Sequence, residues 1–179
     1  MNDARRFEAI VLPHFDAAYN LARWLLRDEA AAEDVVQEAV LRALRRFTSL
    51  RGSDARPWLL GIVRNTCFTH LRERSGRREQ SGFEDDAIED FQHAAGLVAP
   101  DPAAALDRGR ERAVIDAAIA ALSPALREVI VLRELEGLDY AEIALVASIP
   151  IGTVMSRLSR ARSGLRSALS AAGLELGRA

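Results

Sequence analysis

The chain has 179 residues, 49% hydrophobic and 28% charged, with a net charge of −2. That is enough for one or two domains with cores of their own, in the composition range of an ordinary soluble globular protein. A single cysteine, Cys67, excludes an intramolecular disulfide and a cysteine metal cluster. No apolar run is long enough to span a bilayer; Asp3, Arg5, Arg6, Glu8 and Asp16 interrupt the start, so no secretory leader and a cytoplasmic home are expected.

The first predicted helix covers residues 5–27, with Phe7, Ile10, Val11, Phe15, Ala18 and Leu21 to Leu25 on its apolar side and Pro13 breaking or kinking it. A second runs from Ala31 to Arg46, with Val36, Val40, Ala43, Leu44 and Phe47 turned inward. Its outward face is then Asp34, Glu38, Leu41 and Arg45, with Gln37 beside them. A third starts after Ser53 or Asp54, with Pro57 at the first position, and runs toward Arg74 over a buried stripe of Leu60, Val63, Cys67 and Leu71. Trp58 lies on the side opposite Leu60 and Cys67, about a turn or so from Asn65.

Charge is segregated along the chain. Residues 42–78 carry ten arginines against Asp54 and Glu73, whereas residues 79–107 carry eight acids and no arginine. This acidic stretch lacks a sustained apolar stripe and contains Gly96, Pro100 and Pro102, so it reads as a linker. Its charge either is simply solvated or mimics nucleic acid against the basic patches.

Beyond it, helices are expected over Glu111–Leu122 and Pro124–Glu134, the latter capped by Ser123 and closed by Gly137. Val129 to Leu132 has strand-like composition but sits inside a helical period with no pairing partner. Asp139 and Glu142 then form a capping box for a short helix carrying Ile143, Ala144 and Ala147. It ends near Ser148, because Pro150 cannot continue it and Gly152 permits a sharp reversal. A second helix begins near Thr153, with Val154, Leu158, Ala161, Leu165 and Leu169 inward. Its opposite face carries Thr153, Ser156, Ser159, Arg160 and Ser163, flanked by Arg157 and Arg162, and no acid occurs between Glu142 and Glu175. Small hydroxyls and guanidinium forks suit a helix entering a DNA major groove.

The expected fold is therefore all-α: two small helical domains joined by a flexible acidic linker, the C-terminal one a helix-turn-helix, bounded at 1–78, 79–110 and 111–179. No cofactor and no catalytic site are expected. His14, His70 and His93 lack metal-ligand spacing, no glycine-rich phosphate loop occurs, and Cys67 lies on an apolar stripe.

Three segments, EDVVQEAVLRAL (33–44), RPWLLGIVRNTCFTHLRER (56–74) and IPIGTVMSRLSRARSGLR (149–166), together resemble a bacterial RNA polymerase sigma factor of the extracytoplasmic function group. The resemblance implies a promoter-specificity subunit, not an enzyme, that binds core RNA polymerase and promoter DNA. It assigns core binding to Asp34, Gln37, Glu38 and Leu41. It assigns recognition and melting of the minus-ten element to Arg51, Arg56, Trp58, Arg64, Asn65 and Arg72, where arginines follow the backbone and Trp58 and Asn65 receive unstacked bases; Trp58 could equally pack against a neighbouring helix. It assigns the minus-thirty-five element to Thr153, Ser156, Arg157, Arg160 and Arg162. Met155 departs from the pattern, standing where many relatives carry lysine or arginine. An anti-sigma protein clasping both domains is a further implied partner. The rival readings are a dimeric helix-turn-helix regulator acting without polymerase and a helical adaptor for an acidic protein.

Overall fold

The structure is a computed structural model that describes residues 3–50, 54–74 and 107–174. Every regular element among them is helical, and they form two all-helical domains, so Val129 to Leu132 is helical backbone and not a strand.

The first domain opens with α1 (Asp3–Val11) and α2 (Phe15–Leu26), separated by a 3-10 turn at Leu12–His14 that contains Pro13. Proline has no amide hydrogen and restricts the residue before it, so the chain breaks here instead of running through as one helix. Helix α2 stops at Arg27, which takes a left-handed conformation (φ 56°). Asp28 immediately restarts the chain by accepting the Ala31 amide at 3.1 Å, which opens α3 (Glu29–Arg45) two residues earlier than expected. The buried stripe of α3 is largely alanine: Ala31, Ala32, Val35, Val36, Ala39 and Ala43. Leu44, expected inside, is 47% exposed, and Val40 is only half-buried. Leu44 follows Ala43 by about 100° around the helix, and the small alanines set the inward direction by letting α2 and α4 approach closely.

In α4 (Ala55–Arg74) the Asp54 carboxylate accepts the Arg56 amide at 3.2 Å, which fixes the start of the helix. Pro57 is its third residue, not its first, yet still within the opening turn where amides have no intrahelical partner. Leu59, Leu60, Val63 and Cys67 are fully buried, and Phe7 meets Phe47 edge-on at 5.4 Å to close the far end.

The second domain comprises α5 (Asp107–Ala121), α6 (Pro124–Ile130), α7 (Tyr140–Ala147) and α8 (Ile151–Ala171). Ser123 stands at the start of α6 without a side-chain capping bond. After Ile130 the helix widens into a π turn (Val131–Leu135), in which the Glu136 amide reaches the Val131 carbonyl at 3.0 Å. Asp139 and Glu142 form the expected reciprocal box, at 2.8 and 2.7 Å. The reversal between α7 and α8 is made by Ser148 (φ 55°), not by Gly152, which lies inside α8 in open space. The two helices diverge by 100°.

The domains share one continuous core. Helix α4 packs on α7, and α2 packs on α6 and on the π turn. Gly61 faces the backbone of Val146 at this contact, where a methyl group would lie 3.8 Å from the Val146 carbonyl oxygen, an ordinary packing distance. Arg127 ties the second contact. It donates to the carbonyls of Ile119 (3.3 Å), Ala120 (2.7 Å) and Leu122 (2.6 Å) in its own domain and to those of Trp24 (3.2 Å) and Leu25 (3.5 Å) at the end of α2. Burial lowers its pKa to about 10, which leaves it charged at neutral pH.

Two outcomes follow from this packing. Replacing Asp139 by Ala removes half of the capping box and should lower stability by about 1 kcal/mol, read from the urea midpoint. Burial, reinforced by the negative charge of Glu128, pushes the Cys67 thiol up to about 12. Its folded pKa therefore exceeds the unfolded value of about 8.5, so its contribution to stability is complete below that value and is lost as pH rises through about 12. Iodoacetamide should accordingly alkylate the native chain much more slowly than the urea-unfolded chain between about pH 7 and 9, and the native rate should go on climbing above about pH 9, where the unfolded rate levels off.

Candidate functional site

Three surfaces carry the residues singled out from sequence. On α3, Asp34, Gln37, Glu38 and Leu41 are all exposed along one stripe, and Leu41 is 55% accessible. Glu38 pairs with Arg42 one turn on, and Leu44 extends the apolar part of the stripe. A carboxylate-flanked leucine on a helix surface offers a basic partner both charge complementarity and an apolar anchor.

The face of α4 differs from expectation. Asn65 and Arg72 are exposed, and Arg72 donates to the Thr69 hydroxyl at 3.4 Å. Trp58 is half-buried and packs against the core. Arg64, expected to face solvent, is only 9% exposed: its Nε donates to Glu128 Oε1 at 2.7 Å and its guanidinium lies 4.5 Å from the Phe68 ring. Arg56 is held by the Glu136 carboxylate at 2.8 Å and the Glu136 carbonyl at 2.6 Å. Arg51 lies outside the described residues, as does the acidic stretch 75–106.

On α8 the inward stripe is as expected, with Val154, Leu158, Ala161 and Leu169 buried and Leu165 half-buried. Ser156 and Ser159 are exposed, and Thr153 and Arg160 half-buried. Arg157 is a correction: it is buried, not on the outer flank, and its charge acts on the Glu128 carboxylate from within the second domain. Arg162 is exposed and donates to Glu134 at 2.8 and 3.2 Å. Ile151 and Met155 are exposed at the start of α8, beside Leu145 on α7.

The residues missed in the sequence are Arg127, Glu128 and Glu136. Glu128 has no solvent exposure and stands between Arg64 of the first domain and the charge of Arg157. Burial pushes its carboxyl up, and the two guanidinium groups oppose that shift by favouring the ionised form. A signal was present: an arginine and a glutamate adjacent in the apolar run of α6 cannot both reach water. Among the described residues no group of three or more His, Cys, Asp or Glu side chains could hold a metal ion. Beside the seam, α2 and α5 leave an open cleft of 580 Å³ lined by Trp24, Ile115, Ile119 and Leu135 together with Arg23 and Glu111.

Comparison with known proteins places these domains. Residues 10–77 match the family model for sigma-70 region 2, and residues 112–165 that for sigma-70 region 4. The chain is 36% identical to the RNA polymerase sigma-H factor of Pseudomonas aeruginosa over 170 residues, covering 93% of this chain and 88% of that one. It is 37% identical to the extracytoplasmic function (ECF) RNA polymerase sigma-E factor of Escherichia coli over 134 residues, 74% and 70% of the two chains. Among solved structures, the sigma factor RpoE in complex with the anti-sigma factor NepR from Bartonella quintana superposes with a TM-score of 0.69 at 27% identity, covering 93% of this chain and 98% of that one. CnrH in complex with the cytosolic domain of CnrY gives 0.64 at 24% identity over 94% and 90%, a likeness of fold.

Proposed function

The chain belongs to the sigma-70 family, in its extracytoplasmic function group, and so binds core RNA polymerase and directs transcription initiation without being an enzyme; from this premise we propose how its surfaces divide that work. Residues 1–78 form the domain for core binding and the minus-ten element, residues 79–110 an acidic tether, and residues 111–179 the domain for the minus-thirty-five element. The exposed stripe of Asp34, Gln37, Glu38 and Leu41 docks on a basic helical surface of the polymerase. The observation that carries this reading is that all of these side chains reach solvent on one face of α3, although their neighbours Val35, Val36 and Ala39 are buried.

Helices α7 and α8 serve as the helix-turn-helix. Their 100° divergence fits that motif, and the amino-terminal half of α8 enters the major groove. Thr153, Ser156 and Arg160 face the bases and phosphates there, with Arg162 reaching the backbone once it leaves Glu134. Exposed Met155 would sit against an apolar group such as a thymine methyl. Arg51, Arg56, Arg64, Arg72, Trp58 and Asn65 act on the minus-ten strand. An anti-sigma protein is a natural partner, since the cleft around Trp24 and Ile115 lies where a clasp on both domains would pass. No single helix among the described residues is long and apolar enough to cross a membrane, and we place the protein in the cytoplasm beside polymerase.

Reconstituted transcription with purified core polymerase tests the assignments. Glu38→Arg and Leu41→Arg should each weaken binding to core by about tenfold or more, leaving the melting midpoint unchanged because both sites are exposed. Arg160→Ala should reduce promoter binding by the equivalent of about 1–3 kcal/mol and leave core affinity intact. Full activity in all three variants would refute these surfaces. Holoenzyme binding to promoter DNA should also fall with salt, its logarithmic slope near −0.9 for each phosphate engaged by an arginine; a flat response would remove the backbone contacts.

A further inference from the structure

The amino-terminal half of α8 turns an apolar row toward solvent. Ile151 is 48% exposed, Met155 one turn on is 55% exposed, and exposed Ser159 continues the row a turn further. A methyl group at Gly152, on the same outward side, would meet open space. The residues that pack α8 inward, Val154, Leu158 and Ala161, lie on the opposite side of the helix. We propose that Ile151 and Met155 form a seat for the C5-methyl group of thymine, so that this chain requires a thymine·adenine pair in its upstream promoter element. The proposal rests on the reading of α8 as the helix that enters the major groove, and adds to it which base is chosen there.

The major groove presents donors and acceptors on every base pair but only one apolar group, the thymine methyl. An apolar side chain pressed against any other base edge strips water from a polar group and gives no hydrogen bond in return. Ile151 and Met155 therefore discriminate by penalty as well as by contact. The neighbouring hydroxyl favours the same pair. Ser156 Oγ donates its hydrogen to the Thr153 carbonyl at 3.0 Å, which leaves its lone pairs as what it offers to DNA. The donors in the groove are adenine N6 and cytosine N4, and only the adenine amino group belongs to a pair that also carries a methyl. Met155 and Ser156 diverge by about 100° around the helix, which suits two groups at separate positions along the edge of one base pair. A protein partner fits this face less well: the row runs beside Ser156 and Ser159, Arg160 and Arg162 flank it, and α8 carries no carboxylate.

The test uses holoenzyme assembled from the full chain and purified core polymerase, which selects bound duplexes from a random pool. The upstream element recovered should contain a fixed thymine. Exchanging thymidines there one at a time for deoxyuridine removes the methyl and leaves every hydrogen-bonding group in place. At one position this should weaken binding about fourfold, the worth of one buried methyl-sized group. Ile151→Ala combined with Met155→Ala changes two exposed sites and should leave the fold intact. That chain should bind the thymine and uracil duplexes equally, which is the coupling a direct contact requires. Arg160→Ala should weaken binding to both duplexes and preserve the difference between them. Equal binding of the two duplexes by the unaltered chain, or a difference that survives in the double variant, overturns the proposal. So does a double variant that loses affinity for core polymerase and not for the element, since the face would then be a protein contact. Recovery of no upstream element, or of one indifferent to Arg160→Ala, refutes the entry of α8 into the groove and the proposal with it.

Discussion

A carboxylate with no access to water, Glu128, governs how the two domains meet. Burial pushes its carboxyl up, and Arg64, which crosses the seam to reach it, together with Arg157 in its own domain, opposes that shift by favouring the ionised form. Dehydrating a carboxylate and a guanidinium costs several kcal/mol each, and only close geometry repays the loss. The hydrogen bond of 2.7 Å supplies that geometry in the observed placement of the domains. Hydrophobic contact across the seam supplies attraction but is non-directional; the buried charge supplies the register.

Arg127 works beside it by a different route. Its guanidinium meets the carbonyl ends of α2 and α5, where the helix dipoles concentrate negative potential. Three of those carbonyls belong to its own domain, so the charge stays partly solvated by protein even when the domains separate. Glu128 has no such reserve of backbone partners, and its carboxylate accepts from Arg64 across the seam. The two adjacent residues thus have separate effects. Arg127 ties carbonyls within the second domain as well as across the seam, whereas the hydrogen bond of Glu128 is made across the seam.

Much of each helix is legible in the sequence because it depends on neighbours in the chain. The capping box of Asp139 and Glu142, the stop before Pro150, the inward stripe of α8 and the outward stripe of α3 are local properties, and they are found where periodicity and capping rules put them. The errors arise where the deciding partner lies far along the chain. Hydrophobicity alone turns Leu44 inward, yet alanines set the face of α3 because α2 and α4 come too close for larger groups. Ser148, not Gly152, takes the left-handed turn because the chain reverses before Pro150 and not after it. Arg64 shares the face of Leu60, Cys67 and Leu71, and Arg157 borders the stripe of Val154 and Ala161, yet the charge of each by itself implies exposure. Nothing in one helix's period says that a second surface will cover its polar side, and here Glu128, far from both along the chain, lies against them.

The same seam leaves two surfaces of the first domain unequally accessible. The stripe of Asp34, Glu38 and Leu41 faces solvent while the domains are together. Arg56 and Arg64 of α4 are instead engaged by the carboxylates of Glu136 and Glu128 in the second domain. Any surface that binds the domains better apart than together shifts the equilibrium by its differential affinity and by nothing else.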